Sequence, residues 1–327
     1  KEMLVLKQME SEQNLWKVVV LRKGFQEDLE DEFVSNGRVV GLVMTYVDDI
    51  LITGRREVME SVTQQLQQTW STSVPEGIGE KPVRFLGIEI TRCLAEGEER
   101  MHWSLNQQAS IRDLLGRYED GEKVRKIPIT RDQAAMSQDV TTPTPEGVKS
   151  CQKVIGELLW LVTRTRPDLM FGVSRMGASV LKSTHAIQET AKQMRLYLKA
   201  TLEEGLRFEE RPEDPINLYV YSDSSFAPES DESHGSFIVL ANGSSMFWRS
   251  GRQSAVTLST AESELTELVE AMVAGESVYA IISELFAEVN RIALCDSQAA
   301  LAILLAEGGS WRTRHCACVG HLRGRQS

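Results

Sequence analysis

The chain has 327 residues, 42% of them apolar and 25% charged, which is enough for two packed domains and too apolar for a disordered chain. A formal charge of −11 argues against nucleic-acid binding driven by net charge, so any polynucleotide has to be held by local basic patches or by metal ions. The apolar runs at 39–44 and 303–306 fall far short of the ~20 residues of a membrane span, and no membrane partner is expected.

The first twelve residues mix charge with scattered Leu and Met, unlike a secretory leader, and a chain opening on Lys1 is expected to start mid-protein. Five scattered cysteines (Cys93, Cys151, Cys295, Cys316 and Cys318) do not form the dense framework of a small secreted domain. A reducing, intracellular compartment is the expectation.

In chain order, residues 16–21 and 38–44 are β-rich, and Tyr46-Val47-Asp48-Asp49 sits between apolar runs, as the tip of a β-hairpin would. Val58, Val62, Leu66 and Trp70 have helical spacing over 57–70. Strands are expected at 83–91 and 101–105, followed by a helix over 106–118. The Thr-, Pro- and Ser-rich stretch 134–150 marks a surface loop. Three helices then run over 148–164, 167–181 and 185–200, and the acidic, Pro-containing stretch 203–215 is the best candidate linker. Beyond it come strands at 216–222, 235–241 and 244–249, helices at 260–274 and 276–289, a strand at 291–295 and a helix at 297–306. That order predicts a mixed sheet with helices packed on it.

Two groups of acids carry chemistry. Asp48 and Asp49 repel each other at a hairpin tip, and divalent cations would relieve the repulsion; a solvated Asp-Asp turn reads equally well from four residues alone. Asp223 ends a β-rich run, Glu262 lies in the first turn of a helix, and Asp296 ends another strand. If they converge at one sheet edge, they could hold two metals ~4 Å apart that activate water against a phosphodiester. Taken singly, Asp223 reads as a strand-end cap, Glu262 as a charge complementing the helix dipole, and Asp296 as a helix N-cap.

The strings YVDDILITG (residues 46–54) and FLGIEI (85–90) resemble the reverse transcriptase of copia-type retrotransposons, from catalytic hairpin to primer grip. YSDSSF (221–226), SGRQSAVTLSTAESEL (250–265) and CDSQAALAI (295–303) resemble the ribonuclease H of the same elements. The resemblance covers most of the chain and implies an α/β and α+β chain. A partial palm and thumb would occupy 1–133, a helical connection 134–205, and a ribonuclease H-like mixed sheet flanked by helices 206–327.

It implies further that Asp48 and Asp49 bind catalytic metal, that Tyr46 and Val47 border the primer end, and that Phe85, Leu86 and Gly87 form the primer grip. Asp223, Glu262 and Asp296 would hold Mg2+ or Mn2+, with Ser297 and Gln298 touching the hybrid. Trp248, Arg249 and Arg252 fall near the family's substrate-side hairpin, and read equally as a core Trp and solvated Arg. The implied activities are RNA-directed DNA polymerase, incomplete here, and ribonuclease H. The implied partners are an RNA–DNA hybrid or primer-template, with an upstream Pol segment or second subunit as candidate protein partner. The implied location is the cytoplasm or the nucleus. The rival reading is an inactive retroelement remnant that binds nucleic acid or protein.

Two departures stand against activity. Only 45 residues precede Tyr46, and their Asp28 and Asp31 lie in a solvated acidic stretch, so this chain alone is expected not to polymerise DNA. Ala317 stands where the family resemblance leads us to expect a further acid. His315, Cys316, Cys318 and His321 lack the separated pairs of a zinc finger, and Arg312, Arg314, Arg323 and Arg325 suit a frayed end as well as a phosphate contact. Arg164, Arg166, Lys192, Arg195 and Lys199 either lie beside a bound duplex or pair along their helices with Glu189 or Glu203.

Overall fold

The computed structural model describes residues 2–22, 38–78, 81–94, 101–209, 215–226 and 233–305. Asp28, Asp31, Ala317 and the His, Cys and Arg residues of the 311–325 tail lie outside them.

The first layer is an antiparallel sheet of β1 (Glu2–Gln8), β2 (Leu15–Arg22), β3 (Arg38–Tyr46) and β4 (Asp49–Gly54), in that order. Helix α1 (Arg56–Thr69) lays Val62 against Val18 and Val43, with Val58 and Leu66 beside them, so the apolar spacing seen in sequence is the face that packs. The strand β1 carries little periodic signal and was not foreseen.

A second antiparallel sheet joins β5 (Val83–Phe85), β6 (Ile88–Leu94), β7 (Met101–Asn106) and β8 (Leu206–Glu209). The expected single strand over 83–91 is a hairpin. Leu86 and Gly87 form its two-residue turn with φ of 51° and 78°, the backbone of a type I′ turn that matches strand twist. The expected linker also departs from its reading, because β8 lies within it and pairs with β7, Leu206 opposite Leu105.

Between these strands runs a helical body: α2 (Gln108–Gly116), the short α3 (Arg131–Ala134), α4 (Pro145–Val162), α5 (Met170–Ala178) and α6 (Thr184–Ala200). Thr144 Oγ1 accepts from Gly147 N at 3.1 Å and Pro145 opens the first turn, so α4 starts inside the stretch read as loop. Cys151, Val154, Leu158 and Leu161 recur at three- and four-residue intervals and meet Val173, Met176, Ile187, Met194 and Leu198 in the largest buried core.

Pro167–Leu169 is a 3-10 turn before α5 rather than helix. There Arg166, 1% exposed, donates to both oxygens of Asp168 (3.0 and 2.7 Å) and to Thr201 O (3.1 Å) and Oγ1 (2.8 Å), fastening the α4–α5 junction to the end of α6. Arg195, 4% exposed, pairs with Asp120 and stacks 3.9 Å from the Tyr118 ring centroid. These two cations of the connecting helices therefore serve the fold, with partners other than Glu189 and Glu203.

The third sheet has the order β11-β10-β9-β12, formed by β9 (Ile216–Ser225), β10 (His234–Ala241), β11 (Ser244–Arg252) and β12 (Val289–Leu294). β9, β10 and β11 are antiparallel neighbours, and β12 runs parallel to β9. One continuous helix, α7 (Thr260–Ser283), makes the crossover where two were expected, and α8 (Gln298–Leu305) follows β12. Gly275 lets α7 approach the sheet, since a side-chain carbon there would come within 2.7 Å of Val220 Cγ2. The result is a mixed α/β architecture whose mixed sheet is flanked by helices, compatible at a coarse level with a ribonuclease H-like fold.

No described helix is long and apolar enough to cross a membrane. At the far end of α7, Lys17 donates to Glu284 Oε2 at 2.9 Å and Ser11 N to Oε1 at 2.7 Å, tying the first sheet to the third.

Candidate metal centre

Alternation along β9 divides its side chains between two faces. Leu218, Val220 and Ser222 are buried, while Tyr221 and Asp223 are exposed on the other side, where Asp223 lies opposite Ser236 of β10. Because β12 is parallel to β9, the residues just past its end come level with Asp223. Asp223 and Asp296 accordingly line one cavity of about 630 Å3, together with Tyr221, Ser236, Trp248 and Phe171. Two of the three acids expected at one sheet edge are brought to the same hollow.

Glu262 is not among the donor atoms that gather at Asp296. Its Oε2 accepts from Leu258 N at 2.7 Å, while Ser259 Oγ accepts from Glu262 N at 3.2 Å; this reciprocal arrangement closes the N-terminus of α7. Two residues on, the helix has turned through roughly 200°, and Glu264 points back to the sheet. It is 5% exposed.

Ser224 N donates to Glu264 Oε1 at 3.3 Å, and Oε2 has no hydrogen-bond partner. Ligand atoms of Glu264, Cys295 and Asp296 all lie within 4.8 Å of one another. Burial pushes the Glu264 carboxyl above the usual carboxylate range, and the charges of Asp223 and Asp296 add to the rise against the opposing Ser224 bond. Burial, with Glu264, Asp296 and Asp223 behind it, likewise raises the Cys295 thiol. A cation between these groups would relieve the crowding.

A signal for Glu264 existed in the sequence. Residues 264, 268, 271 and 275 share one helical stripe, and Leu268, Ala271 and Gly275 are the small or apolar residues by which α7 packs on the sheet. An acid on that stripe is buried, whereas residue 262 is off it. Cys295 was not foreseen as a member of the cluster.

The other expected contacts have definite places. Ser297 Oγ accepts from Ala300 N at 3.2 Å and so caps α8, leaving Asp296 outside the capping role, and Gln298 is exposed. Trp248 donates its indole N–H to Val162 O at 2.8 Å, Arg249 pairs with Glu270, and Arg252 donates to Ala178 O at 2.8 Å. Trp248 and Arg252 therefore fasten β11 to the connecting helices.

Asp48 and Asp49 lie at the exposed tip of the β3–β4 hairpin beside Tyr46 (51% exposed) and Val47 (88%). Val47 has φ 52°, a backbone a β-branched residue rarely adopts. Among the described residues no third His, Cys, Asp or Glu joins these two acids in a cluster. Phe85 ends β5, and Leu86 and Gly87 form the β5–β6 turn, which rests on Trp160 of α4, 3.1 Å from where a Gly87 side-chain carbon would stand.

No family model matches the chain. The chain is similar to the Retrovirus-related Pol polyproteins from transposons RE2 and RE1 of Arabidopsis thaliana. Identity is 25% in both cases, over 93% and 92% of this chain. The chain spans 20% of the length of each. It is also 35% identical, over 121 residues, to Secreted RxLR effector protein 161 of Plasmopara viticola, covering 36% of this chain and 82% of that protein. Over those residues the two belong to one family.

Proposed function

For a chain that is a distant homologue of retrotransposon Pol-like proteins, we propose metal-dependent phosphodiester hydrolysis of the ribonuclease H class, directed at the RNA strand of an RNA–DNA hybrid. The observation that carries the reading is the cluster of Glu264 and Asp296, with Asp223 beside Asp296 in the same hollow. Glu264 of α7 and Asp296 past the end of β12 have ligand atoms within 4.8 Å of each other, and Asp223 of β9 lines the same hollow as Asp296 and adds its charge at Glu264, although the three are far apart in the chain.

The residues fit a divalent cation. Glu264 Oε2 is a buried acceptor without a hydrogen-bond partner, on a carboxylate that lies within 4.8 Å of Cys295 Sγ and the Asp296 carboxylate, and a group left so costs free energy unless something binds it. Asp223, Glu264 and Asp296 would hold magnesium or manganese, which when bound activates water and stabilises the leaving oxygen. The protein's own part is to fix these carboxylates on a sheet edge and a helix, with Ser224 N orienting Glu264. The adjacent hollow, walled by Tyr221 and Phe171, offers apolar surface to a nucleotide beside the acids.

The first sheet fits the same ancestry as a partial polymerase palm. Its exposed Tyr46-Val47-Asp48-Asp49 tip would be the metal-binding hairpin, and the Phe85-Leu86-Gly87 turn the primer grip. The reading carries an intracellular location with it, in cytoplasm or nucleus.

The test is cleavage of an RNA–DNA hybrid by the purified chain, with and without magnesium or manganese. Cleavage is expected to require the metal and to vanish in Asp223→Asn and Glu264→Gln. Cleavage that persists in Asp223→Asn refutes the assignment, and a wild type that binds metal but cuts nothing favours the inactive-remnant reading.

A further inference from the structure

The geometry points to a second use of the same centre: it takes a thiophilic cation, zinc, through Cys295 Sγ with the Glu264 and Asp296 carboxylates, and zinc held there excludes magnesium. This rests on the reading of the acids as a metal centre, and extends it to which metals can occupy that centre and to how it could be shut off.

The donor set decides the preference. Magnesium takes oxygen ligands in near-octahedral array and binds a thiolate poorly, whereas zinc accepts sulfur, nitrogen and carboxylate oxygen around a tetrahedron. Ligands of one tetrahedral zinc stand ~3.5 Å apart, and the three donor atoms here lie within 4.8 Å of one another, a separation that modest side-chain rotation closes. Affinity for a mixed site also rises from the harder divalent ions toward zinc.

A second observation points to a ligand independently of the cluster's composition. Glu264 is 5% exposed, its Oε2 has no hydrogen-bond partner, and its carboxylate lies within 4.8 Å of Cys295 Sγ and the Asp296 carboxylate. Cys295 is itself held in place, packed against the Leu265–Ala300 core. On binding, a sulfur–zinc bond forms as the thiol proton leaves to solvent, with no change of oxidation state. Magnesium uses Glu264 and Asp296 as well, so the two ions compete for shared oxygens.

Cadmium, which ligates like zinc and shows a thiolate-to-metal charge-transfer band in the ultraviolet, reads out the sulfur directly. The full chain, its Cys295→Ser variant and its Glu264→Gln variant are titrated with cadmium, with and without excess magnesium, after circular dichroism has shown each to be folded. Cys93, Cys151, Cys316 and Cys318 contribute equally to all three samples. The expected result is a charge-transfer component lost in Cys295→Ser, weakened about tenfold or more in Glu264→Gln and shifted to higher cadmium by magnesium. Equal bands in wild type and Cys295→Ser overturn the proposal, as does a Cys295-dependent band indifferent to Glu264→Gln, which marks a lone thiol. Should Cys295→Ser not fold, Cys295→Ala and the Glu264→Gln comparison decide on the same criteria. Magnesium-dependent cleavage without the band sinks the zinc proposal and leaves the nuclease reading standing; the band without cleavage does the opposite.

Discussion

Gly235 and Glu267 occupy what is almost one place: a side-chain carbon on Gly235 would come within 1.6 Å of Glu267 Oε2. Glu267 is 1% exposed and takes a 3.3 Å hydrogen bond from Gln253 Nε2, which also donates to Ser263 O at 2.8 Å, so the carboxylate cannot simply swing away. Gly235→Ala is therefore expected to cost roughly 1–3 kcal/mol by overpacking. Denaturant unfolding would show it, and a double-mutant cycle with Glu267→Ala should recover part of the loss; strict additivity would refute the clash.

Arg166→Ala is expected to be among the most damaging single changes. The guanidinium is buried and its donors go to Asp168 and Thr201, so truncation removes four hydrogen bonds and the side chain that fills the junction, while the exposed Asp168 carboxylate turns to water. A loss of about 2–3 kcal/mol is expected, with Arg166→Lys intermediate because an ammonium lacks the fork that meets both Asp168 oxygens. A fall under 1 kcal/mol for the alanine variant would mean that the junction is held by other contacts.

Glu262 and Glu264 should separate cleanly. Glu262→Gln weakens the N-terminal cap of α7 and should cost about 0.5–1.5 kcal/mol while leaving metal affinity within a few-fold of wild type. Glu264→Gln should lose metal binding, with little stability lost in the metal-free chain, because a buried carboxyl with a raised pKa is already strained there. Isothermal titration with manganese distinguishes them. The reverse pattern would return the role to Glu262.

His234 sets an acid limit. Burial first, then Arg175, Arg252 and Arg249, hold its imidazole down to about 4, and it faces Ser250 Oγ at 2.8 Å and the Phe171 ring edge-on. Between the ordinary histidine value near 6.5 and about 4 the unfolded chain binds the extra proton and the fold does not. Stability is then present above 6.5 and drains as pH falls through this window, by on the order of 2–3 kcal/mol. Unfolding curves from pH 7.5 to 4 should be flatter for His234→Gln than for wild type. Parallel curves would show that the imidazole is not the group responsible.

How much of this could be read beforehand depends on how local the cause is. Period-3.6 spacing in α1 and α4 and the hairpin around Val47 were legible because side-chain pattern and turn chemistry act over a few residues. The Leu86–Gly87 turn was missed because a leucine at φ 51° masks the usual Asn-Gly signal. Helix α7 was divided in reading at Gly275, which marks close packing on Val220 instead of an end. Within the candidate centre, Asp223 and Asp296 follow from strand ends. The choice of Glu264 over Glu262 needed the helix's rotation about its axis, and Cys295 needed three dimensions.

The strand β8 has a consequence for how the chain reaches its native state. Its pairing with β7 closes a loop of about 100 residues, so the second sheet stays one strand short until the whole helical body has collapsed and delivered Leu206 to Leu105. Until then β7 offers unpaired amides and carbonyls to any passing strand. A chain cut just before Leu206 would keep that open edge permanently. Its characteristic fate would be self-association through β7, and the lesion would lie on a sheet that carries none of Glu264, Cys295 and Asp296.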